Sequence, residues 1–190
     1  MADNESLARY RLDASQSRFT VQAFASGLLA GLGHNPLIGI RDFTGEASFT
    51  PNSLDNASLR LTINAASLTV LDNIKPKDRE EIERIMFDEV LEVTRYPEII
   101  FQSANVTTTR IAEGRSKVRI IGELTLHGVK RSGLWIAAQI TLDGDYLRAQ
   151  GDFTLKQTDY KIKLVSVAGG ALKLKDELKF SFDIMGRREE

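Results

Sequence analysis

The chain has only two histidines, His34 and His127, and no cysteine. A zinc site or an acid–base pair would need a histidine to converge with carboxylates. The spacing supplies no such convergence. His34 stands in Gly33-His34-Asn35-Pro36 and His127 precedes Gly128. A loop histidine making a local hydrogen bond is the simplest role for each. Without cysteine there is no thiolate nucleophile, disulfide or cysteine-rich metal site. Carboxylates gather at Glu80, Glu81, Glu83 and Asp88, where a solvated face accounts for them. Lys156, Lys161, Lys163, Lys173 and Lys175 make one late segment basic. They read first as solubilising surface and second as contacts for an anionic head group. Gly169-Gly170 reads as a turn. No G-x-S-x-G elbow, phosphate-cradling loop or dinucleotide fingerprint is present. These residue types predict no catalytic centre, no metal and no cofactor.

The elements around these residues follow a period of two, the mark of strands with one buried face. Phe19, Val21 and Ala23 alternate with polar residues, as do Phe43, Gly45, Ala47 and Phe49. Leu59, Leu61, Ile63 and Ala65 form a third row. Ile99 to Val106, including Phe101, is a strand of mixed parity. Val118, Ile120, Gly122, Leu124 and Leu126 follow, then Leu134, Ile136, Ala138, Ile140 and Leu142. Leu147, Ala149, Gly151, Phe153 and Leu155 precede a last row of Leu178, Phe180, Phe182 and Ile184. Tyr10 and Leu12 suggest a short lead-in strand. Asp143-Gly144-Asp145 is a hairpin signal, and Glu113-Gly114 and His127-Gly128 mark further turns. About eight strands with short connections predict a mainly β fold: a single closed antiparallel barrel.

One segment changes period. Ile82, Ile85, Met86, Val90 and Val93 recur at helical spacing, with Pro76 ahead and Pro97 behind. This predicts one amphipathic helix over about residues 78–94, with Asp78 and Glu81 as a cap pair, packed on the sheet or over a barrel end. Ser26 to Gly39 reads as an apolar, glycine-rich loop or a single helical turn. Residues 1–8 are expected to be flexible. The 190 residues fit one barrel domain or two small ones, and no linker divides them.

The inward rows repeatedly carry Ala or Gly, and small inward residues favour an open lumen. Glycine in a strand also marks bends, and facing large residues could fill the gap, so a filled core stays open as the other reading. The lumen residues predicted from the rows are Phe19, Val21, Phe43, Phe49, Leu61, Ile63, Phe101, Leu124, Leu126, Ile136, Ala149, Gly151, Phe153, Phe180 and Phe182. His34 and Asn35 lie beside the apolar loop and are placed at a rim. Trp135 is out of phase with Leu134 and Ile136, so it is expected to face outward and to anchor the helix or a homodimer contact. The formal net charge of -1 gives no reason to expect nucleic-acid binding. No apolar run approaches the roughly 20 residues of a membrane span. The stretch from Met1 to Arg9 lacks the pattern of a leader, so the expected location is cytoplasmic, or periplasmic had a leader been removed. The expected function is non-enzymatic binding of a long apolar ligand, as carrier or store. The alternatives are a structural or stress-related barrel with a filled core that binds a partner, and an enzyme acting on an apolar substrate.

Several segments resemble the YceI-like family. They are Tyr10-Arg11-Leu12-Asp13 with Ser17-Arg18-Phe19, then Arg95-Tyr96-Pro97-Glu98-Ile99-Ile100-Phe101-Gln102-Ser103. Next come Gly122-Glu123-Leu124-Thr125-Leu126-His127-Gly128-Val129-Lys130, and Gly151-Asp152-Phe153-Thr154-Leu155 with Thr158-Asp159-Tyr160. The resemblance implies a lipocalin-like barrel with a helix beside it, a polyisoprenoid or related lipid or quinone precursor in the lumen, and a homodimer. Two positions depart from the family pattern. Lys161 stands where glycine is usual, and Lys130-Arg131 replaces a threonine and basic pair with no proline after it. Both lie near turns and bear on head-group recognition, where Lys161 joins His34 and Asn35 as a candidate. Many members are exported.

Overall fold

The computed structural model describes residues 7–26, 35–50, 53–167, 169 and 172–189. In chain order the strands are β1 (Ala8–Gln22), β2 (Ala25–Ser26), β3 (Leu37–Ile40), β4 (Phe43–Thr50), β5 (Ser53–Asn64), β6 (Leu68–Val70), β7 (Glu98–Ala112), β8 (Arg115–Leu126), β9 (Val129–Asp143), β10 (Tyr146–Lys156), β11 (Ser166–Val167), β12 (Leu172–Leu174) and β13 (Glu177–Arg188). Eight of them form one antiparallel sheet in the order β13-β10-β9-β8-β7-β5-β4-β1, and β13 pairs back onto β1 to close the barrel. Closure removes the open edges that a flat sheet would present. The apolar row of each strand therefore faces one shared interior.

The first strand is longer than its two sequence rows suggest. Tyr10 and Leu12 are not a separate lead-in. They belong to β1, whose register on β13 shifts between Asp13 and Arg18. The amide and hydroxyl of Ser15 both donate to the Asp13 carboxylate, and the Ser17 hydroxyl donates to the Asp13 carbonyl. This local turn chemistry absorbs the extra residues of the bulge. The bend lets the first part of β1 pair with β4 and the last part with β3. Ala8 already lies in β1; the rest of the expectation for the amino terminus falls largely outside the described residues. The glycine-rich stretch also contributes strand: Ala25 and Ser26 form β2, and Leu37 to Ile40 form β3. Its middle lies outside the described residues.

The predicted turns hold. Gly114 and Gly144 have φ of 63° and 55°. At the β8–β9 turn both central residues are left-handed, His127 at 52° and Gly128 at 68°, the geometry that suits two-residue hairpins.

The helix differs from its predicted bounds. The α-helix α1 spans Pro76–Ile85, and a π-helical turn continues it over Met86–Val90. Proline at the first position starts it two residues early, because the missing N–H would be unpaired there in any case. Lys75 is the N-cap and makes no side-chain cap bond. The predicted Asp78–Glu81 cap pair does not form; the Asp78 amide donates to the Lys75 carbonyl, and Glu81 pairs with Arg84 at 2.8 Å. The helix stops well short of Pro97. Leu91 N–H reaches back to the Met86 carbonyl, and Glu92 turns the chain at a φ of 47°.

Nor is the acidic face wholly solvated. Glu83 Oε1 accepts the Thr69 hydroxyl and the Val70 amide, both at 2.9 Å. Arg79 donates to the Val70 and Asp72 carbonyls. Strand β6 ends the sheet beyond β3, so its outer N–H groups would otherwise lack partners. Glu83 and Arg79 satisfy that edge and fasten the helix beside the barrel. The helix, the β8–β9 turn and the small sheet β11-β12-β2 all lie at one barrel end, here the helix end. The β4–β5, β7–β8 and β9–β10 turns mark the opposite, hairpin end.

Candidate functional site: an apolar lumen

The inward rows do not fill the barrel. They enclose a cavity of about 420 Å³. Its wall runs from Leu54, Ala57 and Ile140 at the hairpin end to Leu126, Leu155 and Leu174 at the helix end. Among the described residues, Ser58, Gln157 and Lys173 are the only polar contributors to that wall. No carboxylate or histidine is among them. The volume falls within the usual range for a small-molecule site, and such sites are mainly apolar with a few placed polar groups.

Every predicted lumen residue lines this cavity except Phe43 and Gly151. Phe43 points inward and is buried, but its ring packs edge-on against Phe19 with centroids 6.3 Å apart. Gly151 is blocked. A Cβ there would sit 2.7 Å from Phe182 Cζ and collide with the Ala137 carbonyl on the next strand. The same holds at Gly122, which lies under the Phe101 ring, and at Gly45, where a Cβ would meet Leu12 Cδ1 at 2.7 Å. These glycines therefore do not hold the lumen open directly. They admit large side chains from neighbouring strands, and the open wall is provided by alanines such as Ala47, Ala57, Ala138 and Ala149.

The helix supplies wall residues that the strand rows could not reveal. Ile82, Ile85, Met86, Val90 and Leu91 all line the cavity. Helical periodicity is the signal for Ile82, Ile85, Met86 and Val90; Leu91 lies outside that series, and Val93, which belongs to it, is off the wall. Nothing in sequence marked Gln157, whereas Lys173 belongs to the basic segment already read as a candidate contact for an anionic head group. Gln157 is buried, and its side-chain amide donates to the Lys175 carbonyl at 2.9 Å. Lys173 lies on β12, opposite Ser26 and Ser166, is exposed, and borders the wall at the helix end.

His34 lies outside the described residues. Asn35 is exposed and off the cavity wall; its side-chain oxygen accepts the Ala25 amide at 2.7 Å, and its carbonyl accepts from Gln22. Lys161 is exposed and likewise off the wall. Its φ of 57° explains why glycine suits this position. Residues Gln157–Tyr160 form a 3-10 turn that ends with Ile162 N–H bonded to the Gln157 carbonyl and Lys161 N–H to the Thr158 carbonyl. This is a Schellman closure with Lys161 at the left-handed position. It turns Ile162 back into the cavity wall. Asp176 accepts both the amide and the hydroxyl of Thr158, which hold its carboxyl below the usual range.

His127 does more than bond locally. Its Nε2 lies 2.5 Å from Glu92 Oε2, and its Nδ1 lies 3.2 Å from the Tyr160 carbonyl. The Tyr96 ring meets the imidazole edge-on at 4.8 Å. A Cβ at Gly128 would run into that tyrosine ring. Burial pushes the Tyr160 phenol up. Arg131 reaches the Asp159 carbonyl at 3.0 Å and its carboxylate at 3.6 Å. Three segments distant in sequence are thus joined: the turn after the helix, the β8–β9 turn and the 3-10 turn. None of Glu92, Tyr96 or His127 touches the cavity. Among the described residues no group of three or more His, Cys, Asp or Glu side chains could hold a metal. The cluster is a clasp that fixes the helix against the barrel end.

Comparison with known proteins accords with this architecture. Burkholderia cenocepacia BcnA superposes with a TM-score of 0.68 at 15% identity, over 92% of this chain and 98% of that one. A polyisoprenoid binding domain from Saccharophagus degradans, implicated in plant cell wall breakdown, superposes with a TM-score of 0.67 at 16% identity, over 97% and 100%. The Campylobacter jejuni YceI protein gives a TM-score of 0.56 at 18% identity, over 80% and 84%. At such identities these likenesses establish the fold. No curated protein matches the sequence significantly. The YceI-like domain matches residues 10–185, from the third residue of β1 to near the end of β13, and the chain belongs to that family.

Proposed function

We propose that the barrel binds a long-chain apolar lipid of the polyisoprenoid class in its lumen, as a carrier or store and without chemistry. The observation that carries this reading is the cavity of about 420 Å³ with an almost wholly apolar wall. Burying a methylene contributes about 0.8 kcal/mol, so a dozen contribute about 10 kcal/mol before ordering costs. A ligand of this kind needs few polar contacts. Gln157 and Lys173 place those contacts at the helix end. A general acid, base or nucleophile would have to face the lumen, and among the described residues Ser58, Gln157 and Lys173 are the only polar residues on the wall, with the Ser58 hydroxyl turned outward to Ser48. The polyisoprenoid binding domain from Saccharophagus degradans shares the fold over its full length, which supports the ligand class.

The test is organic extraction of the purified protein followed by mass spectrometry, with uptake of a fluorescent polyisoprenoid by the stripped protein as a second measurement. A long-chain lipid near one per chain, or saturable uptake, is expected. An empty extract together with no uptake would refute the reading.

A further inference from the structure

The outside of the barrel is not uniform. Among the described residues, five large apolar side chains are exposed: Leu7, Ile111, Ile121, Trp135 and Tyr146. Leu7, Ile111 and Tyr146 lie at the hairpin end. Ile121 and Trp135 are cross-strand partners on β8 and β9, 41% and 52% exposed. Among the described residues the helix end shows none. Along the outer face of β8, Arg115, Lys117 and Arg119 lead from the hairpin end to Ile121 at every second residue. The row spans about 20 Å at the usual strand rise.

These three cations have no ion-pair partner among the described residues. Their cross-strand neighbours are neutral: Ala112, Thr109 and Thr107 on β7, and Thr141, Gln139 and Ala137 on β9. Glu113 in the β7–β8 turn and Asp143 beyond Thr141 lie near Arg115, and Asp152 lies one strand further, opposite Ala137, but none of the three forms an ion pair with the row among the described residues. Glu123, beyond Ile121, is already paired with Lys130 at 2.6 Å. The face thus combines an unneutralised cationic row with an exposed indole and an exposed aliphatic side chain.

We propose that the outer face of β8, with Arg115, Lys117 and Arg119 in a row and Ile121 and Trp135 beyond them, docks the barrel on an anionic membrane surface. Basic residues near such a surface are attracted to it, and tryptophan settles at the boundary of head groups and chains. A second copy of the chain fits this face poorly. A two-fold contact centred on this row would set like charges against one another. The proposal rests on the lumen reading only for its purpose: a carrier of water-insoluble lipid must meet the membrane that supplies or receives it.

Trp135 is the only tryptophan, so its emission reports this face alone. The protein is titrated with phosphatidylcholine vesicles, with and without phosphatidylglycerol, and with an oligonucleotide as an alternative polyanion. A blue shift with the anionic vesicles, quenched by brominated lipid and weakened by added salt, is expected. Replacing Arg115, Lys117 and Arg119 together by threonine should weaken binding about a hundredfold, and Lys117→Thr alone about fivefold. The single variant keeps the test decisive should the triple one fail to fold. Equal response to neutral vesicles, unchanged binding of the variants, a response to the oligonucleotide only, or a shift that follows protein concentration without vesicles would each overturn the proposal. Lipid extraction from the same variants separates the two readings. Lumen lipid retained alongside lost vesicle binding supports docking by this face. Vesicle binding by a protein that never holds lumen lipid refutes the lumen reading alone.

Discussion

Ala149 and Gly151 are successive inward residues of β10, yet the structure assigns them opposite responses to enlargement. Ala149 lies on the cavity wall, between Ile140 and Ile184 on the neighbouring strands. A phenylalanine there extends into open space. Ala149→Phe should therefore displace lumen lipid and leave the stripped protein within about 0.5 kcal/mol of its parent, below the 1–3 kcal/mol of a filled core. Gly151 meets the Phe182 ring and the fixed carbonyl of Ala137. Ordinarily, exchanging a mid-strand glycine for alanine gains about 0.5–1 kcal/mol. Here overpacking against backbone outweighs that gain, and Gly151→Ala should cost a net of about 1–2 kcal/mol. With a urea slope of about 2 kcal/mol/M, the midpoint falls by about 0.5–1 M. Both variants are unfolded in urea after lipid is removed, because bound ligand adds its own stabilisation. Lipid content is measured separately by extraction. A stabilised Gly151→Ala protein, or an Ala149→Phe protein that keeps its lipid and loses several kcal/mol, would refute this account of which inward residues face space.

Three further outcomes follow from the helix end and the outer wall. His127→Ala removes the clasp between Glu92 and the Tyr160 carbonyl and should cost about 1–2 kcal/mol by urea unfolding, with faster exchange of a fluorescent lumen ligand; unchanged exchange would mean that the clasp does not control the helix. Lys161→Gly relieves the left-handed backbone and should stabilise by about 1 kcal/mol, and a destabilised variant would contradict the Schellman assignment. The Arg148 guanidinium, bonded to Asp183 at 2.8 and 2.5 Å, holds that carboxyl below the usual range. A carboxyl so lowered stabilises the fold above about pH 4 and loses that contribution as pH falls through its folded-state value. Asp183→Asn should then flatten the acid side of a urea-midpoint profile, and an unchanged profile would sink the assignment.

Much of this architecture could be read from local pattern. A strand residue's face depends only on its parity, so the rows around Phe19, Leu61, Leu124 and Phe182 revealed an inward wall without any knowledge of pairing. The turns at Glu113-Gly114, His127-Gly128 and Asp143-Gly144-Asp145 were legible because left-handed backbone favours a short list of residues. The helix was legible from its period, though not its ends: proline at the first position and a π-helical turn are choices made by the few residues beside them and by the barrel they meet. The rest depends on what lies across the barrel. Gly151 and Ala149 look alike in sequence, and only Phe182 and the Ala137 carbonyl, brought in by pairing with β13 and β9, make one of them full and the other open. Glu83 and Glu81 look equally solvated, and only β6 beneath the helix gives Glu83 a buried task. His127 meets Glu92 and Tyr160 because the chain folds back at the helix end, a meeting no spacing announces. Parity and turn preference are properties of neighbouring residues, so the sequence carries them in plain view. Whether an inward face surrounds a core or a cavity is a property of side chains from several strands at once, and it exists only when β13 closes on β1.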